Sequence, residues 1–204
     1  MLDAALQRQL QPVLRRMAGW LAQHGATANG LSWLGFGLGV AAAAAIALGW
    51  FGSGLALLLL SRLCDGLDGA VARQRGATHW GAYLDITLDF LFYALVPLGF
   101  AWANPAQNAL PAAVLLMAFV GTGSSFLAYA ALAAKRGVPP RAHALPKGLH
   151  FVGGLTEATE TLAVFAAMCL WPAQFALLAY GFAALCGITV VTRLMQAKFL
   201  CQGD

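Results

Sequence analysis

The sequence predicts an all-α membrane protein, a bundle of six transmembrane helices preceded by an amphipathic interfacial helix. Three observations predict it. The first is composition: of 204 residues, 60% are hydrophobic and only 10% charged, with a mean hydropathy of +0.72, whereas about a quarter of a soluble domain is charged. The second is that six apolar stretches, alone or with a polar extension, reach roughly the 20 residues that a helix needs to cross a hydrocarbon core about 30 Å thick. The third is that lysine and arginine are missing from alternate connections, the asymmetry that orients membrane proteins. Helices are expected because they satisfy their own backbone in lipid without closing a barrel.

Residues 1–24 form the first unit. Leu6, Leu10, Val13, Leu14, Met17 and Leu21 recur at helical spacing, with Arg8, Arg15 and Arg16 on other faces. This pattern predicts a helix lying in the membrane surface. A soluble tail packed on the bundle is the alternative, because Pro12 interrupts the pattern. No early uninterrupted apolar core marks a cleavable signal peptide.

Residues 25–204 form the transmembrane domain, with spans predicted near 31–50, 54–75, 80–102, 109–134, 153–171 and 174–195. Breaks fall at Gly52 and Gly54, at Gly76, at Asn104 and Pro105, across 137–146, and at Pro172. In the first span Gly35 and Gly39 precede a run of alanines from Ala41 to Ala45, a small-residue face suited to close helix packing. The second span is continuously apolar only from Leu55 to Leu60 and turns polar at Ser61 and Arg62. The third is polar up to Asp89 and apolar afterwards. Cys64, Cys169, Cys186 and Cys201 are scattered, without the spacing of a thiolate metal site or a disulfide framework, and are expected to serve packing.

With the N-terminus cytoplasmic, the outer turns are 51–53, 103–108 and 172–173, which contain no lysine or arginine. The basic residues Arg8, Arg15, Arg16, Arg73, Arg75, Lys135, Arg136, Arg141, Lys147, Arg193 and Lys198 then fall at the inner side, and only Arg62 lies within a span.

Between Arg62 and Phe90 lie four aspartates. Asp65 and Asp68 are three residues apart and Asp85 and Asp89 four apart, spacings that put each pair on one helix face. Four carboxylates unpaired in lipid would oppose insertion by about 10 kcal/mol, at about 2.5 to 3.5 each, so they must face a polar cavity. Salt bridging to Arg62 and Arg73 is the alternative to a ligand site, but two cations cannot neutralise four buried anions. Divalent metal can, and hard oxygen ligands without histidine favour Mg2+ or Mn2+ over zinc. Metal bridging acidic side chains and a pyrophosphate points to phosphoryl transfer. Gly66 and Gly69 flank Asp68, letting a bulky ligand approach or helices pack. Arg73, about 12 Å along the helix from Asp65, suits a phosphate contact at the cavity mouth.

The segment reads Asp65-Gly66-x-Asp68-Gly69-x-x-Ala72-Arg73, seven residues, then Gly81-xxx-Asp85-xxx-Asp89. It resembles the signature of the CDP-alcohol phosphatidyltransferases in the spacing and order of all eight key positions. Thr27-Ala28-Asn29 is similar to the Thr-Pro-Asn turn of that family, with alanine in place of proline. The resemblance implies transfer of a phosphatidyl group from a CDP-linked donor, CDP-diacylglycerol above all, to the hydroxyl of a small alcohol or phosphorylated alcohol, with release of CMP. It implies two divalent cations held by Asp65, Asp68, Asp85 and Asp89, with Asp89 also the general base. Asp65, Asp68, Gly69, Ala72, Arg73, Gly81 and Asn29 would contact the CDP donor. A homodimer in a bacterial inner membrane, with the active site cytoplasmic and no nucleic-acid partner, is implied as well.

For the acceptor, the residues leave two readings open. Lys135, Arg136, Arg141, His143, Lys147 and His150 could bind a phosphorylated acceptor or face anionic headgroups. Glu157 and Glu160, at the start of the fifth predicted span, could bind acceptor hydroxyls or simply suit the positive end of a helix. Two other classes compete: an intramembrane magnesium-dependent prenyltransferase, which also holds pyrophosphate on aspartates, and a divalent-cation transporter. Prenyltransferase sites occur as two separated motifs, unlike this compact one, and the internal repeats common in transporters are not seen.

Overall fold

The computed structural model describes residues 2–137, 156 and 158–201. Among them it consists of seven α-helices and one 3-10 turn: α1 (Leu2–Gln23), α2 (Ala28–Ala47), α3 (Phe51–Arg75), α4 (His79–Ala103), α5 (Pro105–Lys135), α6 (Ala158–Leu170), the turn Pro172–Gln174, and α7 (Phe175–Cys201). Four of them, α2, α4, α5 and the turn with α7, are long and apolar enough to cross a membrane. Six crossings were expected. The 25-residue α3 has the length, but Arg62, Asp65, Asp68, Arg73 and Arg75 occupy its second half. The described part of α6 is 13 residues.

Helix ends follow local chemistry. Thr27 caps α2, its Oγ1 accepting from the Gly30 amide at 3.1 Å, and Thr78 caps α4 in the same way, accepting from the Gly81 amide at 3.0 Å. α5 starts with Pro105 behind Asn104, where the missing amide hydrogen costs nothing. α3 stops at Gly76, whose φ of 100° is open to glycine and strained for other residues.

The glycine face of α2 organises the bundle. A Cβ at Gly35 would sit 3.2 Å from the Ser61 carbonyl oxygen of α3, and one at Gly39 would lie 2.7 Å from Phe92 Cδ2 of α4. α2 therefore nests between α3 and α4, as its small residues suggested. Ser61 Oγ, fully buried, donates to the Gly35 carbonyl at 2.7 Å. Farther along, Gly99 brings α4 onto the Ala43 carbonyl, where a Cβ would stand 2.7 Å away. Because α3 and α4 each pack on α2 while their backbones keep apart, a gap opens between them at one end.

At the other end the gap is closed by aromatic packing. Phe51, Phe100 and Phe175 stack with centroid separations of 5.6 and 4.6 Å, and Phe92, Phe119 and Phe165 join Leu58, Leu115 and Met168 in the main core. Cys169 and Cys186 are buried there as expected, whereas Cys201 is exposed.

α1 is continuous through Pro12. Ala18, with Leu14 and Leu21, packs on Leu67, Ala70 and Val71 of α3, and Gln74 Nε2 donates to the Arg15 carbonyl at 3.0 Å. Part of the predicted apolar stripe thus covers α3, while Val13 and Trp20 are exposed.

Candidate active site

The open end between α3 and α4 holds the four aspartates. Carboxylate oxygens of Asp65, Asp68 and Asp85 lie within 4.8 Å of one another. Asp68 is buried, Asp65 half-buried and Asp85 exposed to the opening. Helical periodicity explains each pair, and α2 explains why the pairs meet, since it sets the distance between the two helices. The fourth carboxylate, Asp89, lines the same small recess with Arg62, Ser32, Gly35 and Leu88, but it is turned toward arginine: Arg62 Nη1 donates to Asp89 Oδ1 at 2.6 Å. The same nitrogen stands 3.5 Å from Asp65 Oδ1.

Two functional contacts escaped the sequence. Ser32 of α2 donates its hydroxyl to Asp68 Oδ2 at 2.6 Å, fixing that carboxylate while leaving its second oxygen for a ligand. Arg62, weighed only as a counter-charge, is inside the cluster. Of the two arginines considered for salt bridges, Arg62 makes them, and Arg73 folds back over Gly69, its Nη1 3.3 Å from where a Cβ would stand. The position of Arg62 within a predicted span was a usable signal; nothing near Ser32 in the chain foretells its partner.

Beside the aspartates a cavity of about 410 Å³ opens, lined by Asn29, Ser32, Asp68, Gly69, Ala72, Arg73, Arg75, Gly81 and Asp85 among others. Every residue proposed to touch the CDP donor except Asp65 lines it, and Asp65 lies in the adjoining recess. Gly81 is small for a reason: a Cβ there would lie 3.2 Å from Asn29 Oδ1 and 3.1 Å from Thr78 Oγ1. The capped N-termini of α2 and α4 both border this space, so their free amides and Arg73 and Arg75 present positive potential opposite the carboxylates. Arg75 also donates to the Ala26 carbonyl at 3.1 Å and to the Ala22 carbonyl, tying the loop before α2 to the end of α3.

The expected acceptor residues are not gathered in the same way. Arg141, Lys147 and Glu157, with His143 and His150, lie outside the described residues. Glu160 is half-buried with an Oε2 that has no hydrogen-bond partner among the described residues, and it lines neither cavity.

Fold and site together define an integral membrane enzyme with a carboxylate cluster facing a nucleotide-sized cavity. Residues 26–194 match the CDP-alcohol phosphatidyltransferase family, and the chain belongs to that family. It is 52% identical over 196 residues to the inner membrane protein YnjF of Escherichia coli K12, covering 95% of this chain and 94% of that protein. Over 100 residues it is 38% identical to the archaetidylinositol phosphate synthase of Methanothermobacter thermautotrophicus, covering 48% of this chain and 51% of that one. The crystal structure of Mycobacterium tuberculosis phosphatidylinositol phosphate synthase PgsA1 with CDP-DAG bound superposes with a TM-score of 0.65 at 26% identity, covering 90% of this chain and 92% of that one. The same enzyme with manganese and citrate gives 0.64. The chain is therefore a transferase of phospholipid biosynthesis in the inner membrane, and the family works with divalent cations.

The residues fit such cations. Oxygens held about 2.0 to 2.6 Å from one ion can stand up to about 5 Å apart, so carboxylates within 4.8 Å of one another need only small adjustments to share one. The donor set is all oxygen, as hard ions require.

Proposed function

We propose that this enzyme transfers the phosphatidyl group of CDP-diacylglycerol to a hydroxyl of a phosphorylated polyol and releases CMP. The observation that carries the reading is the continuity of the aspartate recess with the cavity lined by Asn29, Gly69, Ala72, Arg73 and Gly81. The CDP-DAG bound to PgsA1 supports the donor, and the inositol phosphate products named for PgsA1 and the archaeal synthase support the acceptor class. Family membership also favours transfer over the prenyltransferase and transporter alternatives.

Asp65, Asp68 and Asp85 would hold divalent cations, Mg2+ or Mn2+, with Asp89 completing a two-metal set. When bound, these cations supply charge neutralisation at the diphosphate and its leaving oxygen. The protein does the rest. Gly69, Ala72 and Gly81 leave room for the nucleotide, and Asn29 with the two helix N-termini borders the same space. Arg73 is a long, exposed side chain that can swing from Gly69 to a phosphate. Asp89 accepts the proton of the attacking hydroxyl, a poor nucleophile until that proton is removed. The new bond joins the acceptor oxygen to the β-phosphorus of the donor as the bond to the CMP oxygen breaks.

In this reading α3 and α6 complete six crossings. The apolar remainder of α1 lies in the interface, and the molecule is a homodimer. The distribution of basic residues supports an N-terminus and active site on the cytoplasmic side. Lys135, Arg136, Arg141 and Lys147, with Glu157 and Glu160, would meet the acceptor.

Purified protein incubated with CDP-diacylglycerol, Mg2+ or Mn2+ and either inositol phosphate or glycerol 3-phosphate should release CMP and give one new phospholipid by mass spectrometry. Absence of CMP with every phosphorylated polyol tested would overturn the acceptor class. Labelling of a cysteine placed at Gly137 from the periplasmic side would overturn the orientation.

A further inference from the structure

Arg62 is an unusual residue for the middle of a helix bundle, and its surroundings are unusual for a structural arginine. A buried guanidinium normally forks onto one carboxylate with two parallel bonds and spends its remaining donors on carbonyls. Here Nη1 alone serves two carboxylates on two helices, 2.6 Å from Asp89 Oδ1 and 3.5 Å from Asp65 Oδ1. Nη2 reaches Ser61 Oγ only at 3.5 Å. Nε is buried with no hydrogen-bond partner among the described residues. The plane lies over the Phe92 ring, with Cζ 3.8 Å from its centroid, a contact that holds charge without fixing donors in direction. The group is thus placed by charge, with its hydrogen bonding incomplete, and it bridges Asp65 and Asp89 as a divalent cation between α3 and α4 would.

The geometry points to Arg62 as an exchangeable counter-cation. Its guanidinium holds Asp89 and Asp65 together and has to release Asp89 before a divalent cation is coordinated there. Two like charges cannot share one carboxylate oxygen at this depth, where little water screens them. Asp68 and Asp85 open to the cavity, with Asp65 in the adjoining recess, and Arg62 stands farther from Asp65 than from Asp89, so a cation at this trio does not require the Arg62–Asp89 bond to break. The protein therefore has one readily filled cation position and one whose filling is opposed by its own arginine. Such an arrangement keeps α3 and α4 from being driven apart by their carboxylates when cations are scarce. This inference rests on the reading of Asp89 as a metal ligand.

The test is Mn2+ titration of the full chain in detergent, followed by electron paramagnetic resonance and without any CDP substrate, for the wild type and for Arg62→Met and Arg62→Lys. The wild type is expected to bind Mn2+ in two steps. Arg62→Met should tighten the weaker step about tenfold or more, through loss of a positive charge beside the ion, and leave the stronger step within a few fold. Its melting temperature in chelator should fall and recover in Mn2+. Arg62→Lys, which keeps the charge but reaches less widely, should tighten the weaker step only a few fold and fold like the wild type. A merely structural arginine would not produce a gain in metal affinity on removal. Equal Mn2+ binding in all three proteins overturns the role of Arg62 while leaving the metal site standing. Absence of Mn2+ binding in all three overturns the metal site and this inference with it.

Discussion

The two ends of the α2–α4 unit are built on opposite principles. At the Phe100 end the helices are locked by stacked rings, and α4 presses Gly99 against the Ala43 backbone. At the Asp68 end Leu67, Ala70 and Val71 pack under α1, and the space between α3 and α4 is left for charge. In lipid, close packing has to replace the hydrophobic drive that assembles soluble cores. The closed end can supply that packing only because the open end is excused from it. One end sets the spacing of the helices; the other uses that spacing to aim carboxylates.

Substitutions at the two ends should therefore fail differently. Asp89→Asn should lower turnover by about 10²- to 10⁴-fold, the usual contribution of a general base, while CDP-diacylglycerol still binds; unaltered turnover would remove the base role. Phe100→Ala should do the reverse, lowering stability by about 3 kcal/mol through the cavity it leaves, with Mn2+ affinity of the folded protein unchanged. A large loss of metal affinity in Phe100→Ala would erase the distinction between the ends. Ser32→Ala removes the hydrogen bond that orients Asp68, along with a contact to the Ala28 carbonyl within α2, and should weaken Mn2+ binding about 10- to 100-fold, as loss of a supporting contact to a metal-binding carboxylate does. Wild-type affinity in that variant would mean that α2 contributes spacing alone. The smallest effect is expected from Thr78→Ala, which removes the α4 cap and should cost about 1 kcal/mol of stability, with a modest rise in KM for the donor because Gly81 and Thr78 border the cavity.

Much of the site was legible because it is nearly contiguous. Helical period alone pairs Asp65 with Asp68 and Asp85 with Asp89, and the small residues at Gly69, Ala72 and Gly81 sit at fixed offsets from them. The structure lines one cavity with these residues and Asn29. The glycine pair of α2 was read correctly as a packing face. Span counting was less secure at α3, because hydropathy averages an apolar half with a charged half and cannot say which way the charges point.

By itself, then, the sequence determined that this is a helical membrane enzyme and that its aspartates pair on the faces of adjoining helices, because both follow from composition and from spacing. Only the tertiary structure decided that Asp68 is held by Ser32, 36 residues away, that Arg62 leans on Asp89, 27 residues away, and that α1 covers α3. These contacts depend on how far apart α2 keeps its neighbours. That distance is the summed outcome of glycine and phenylalanine packing along the helices, and no local period encodes it.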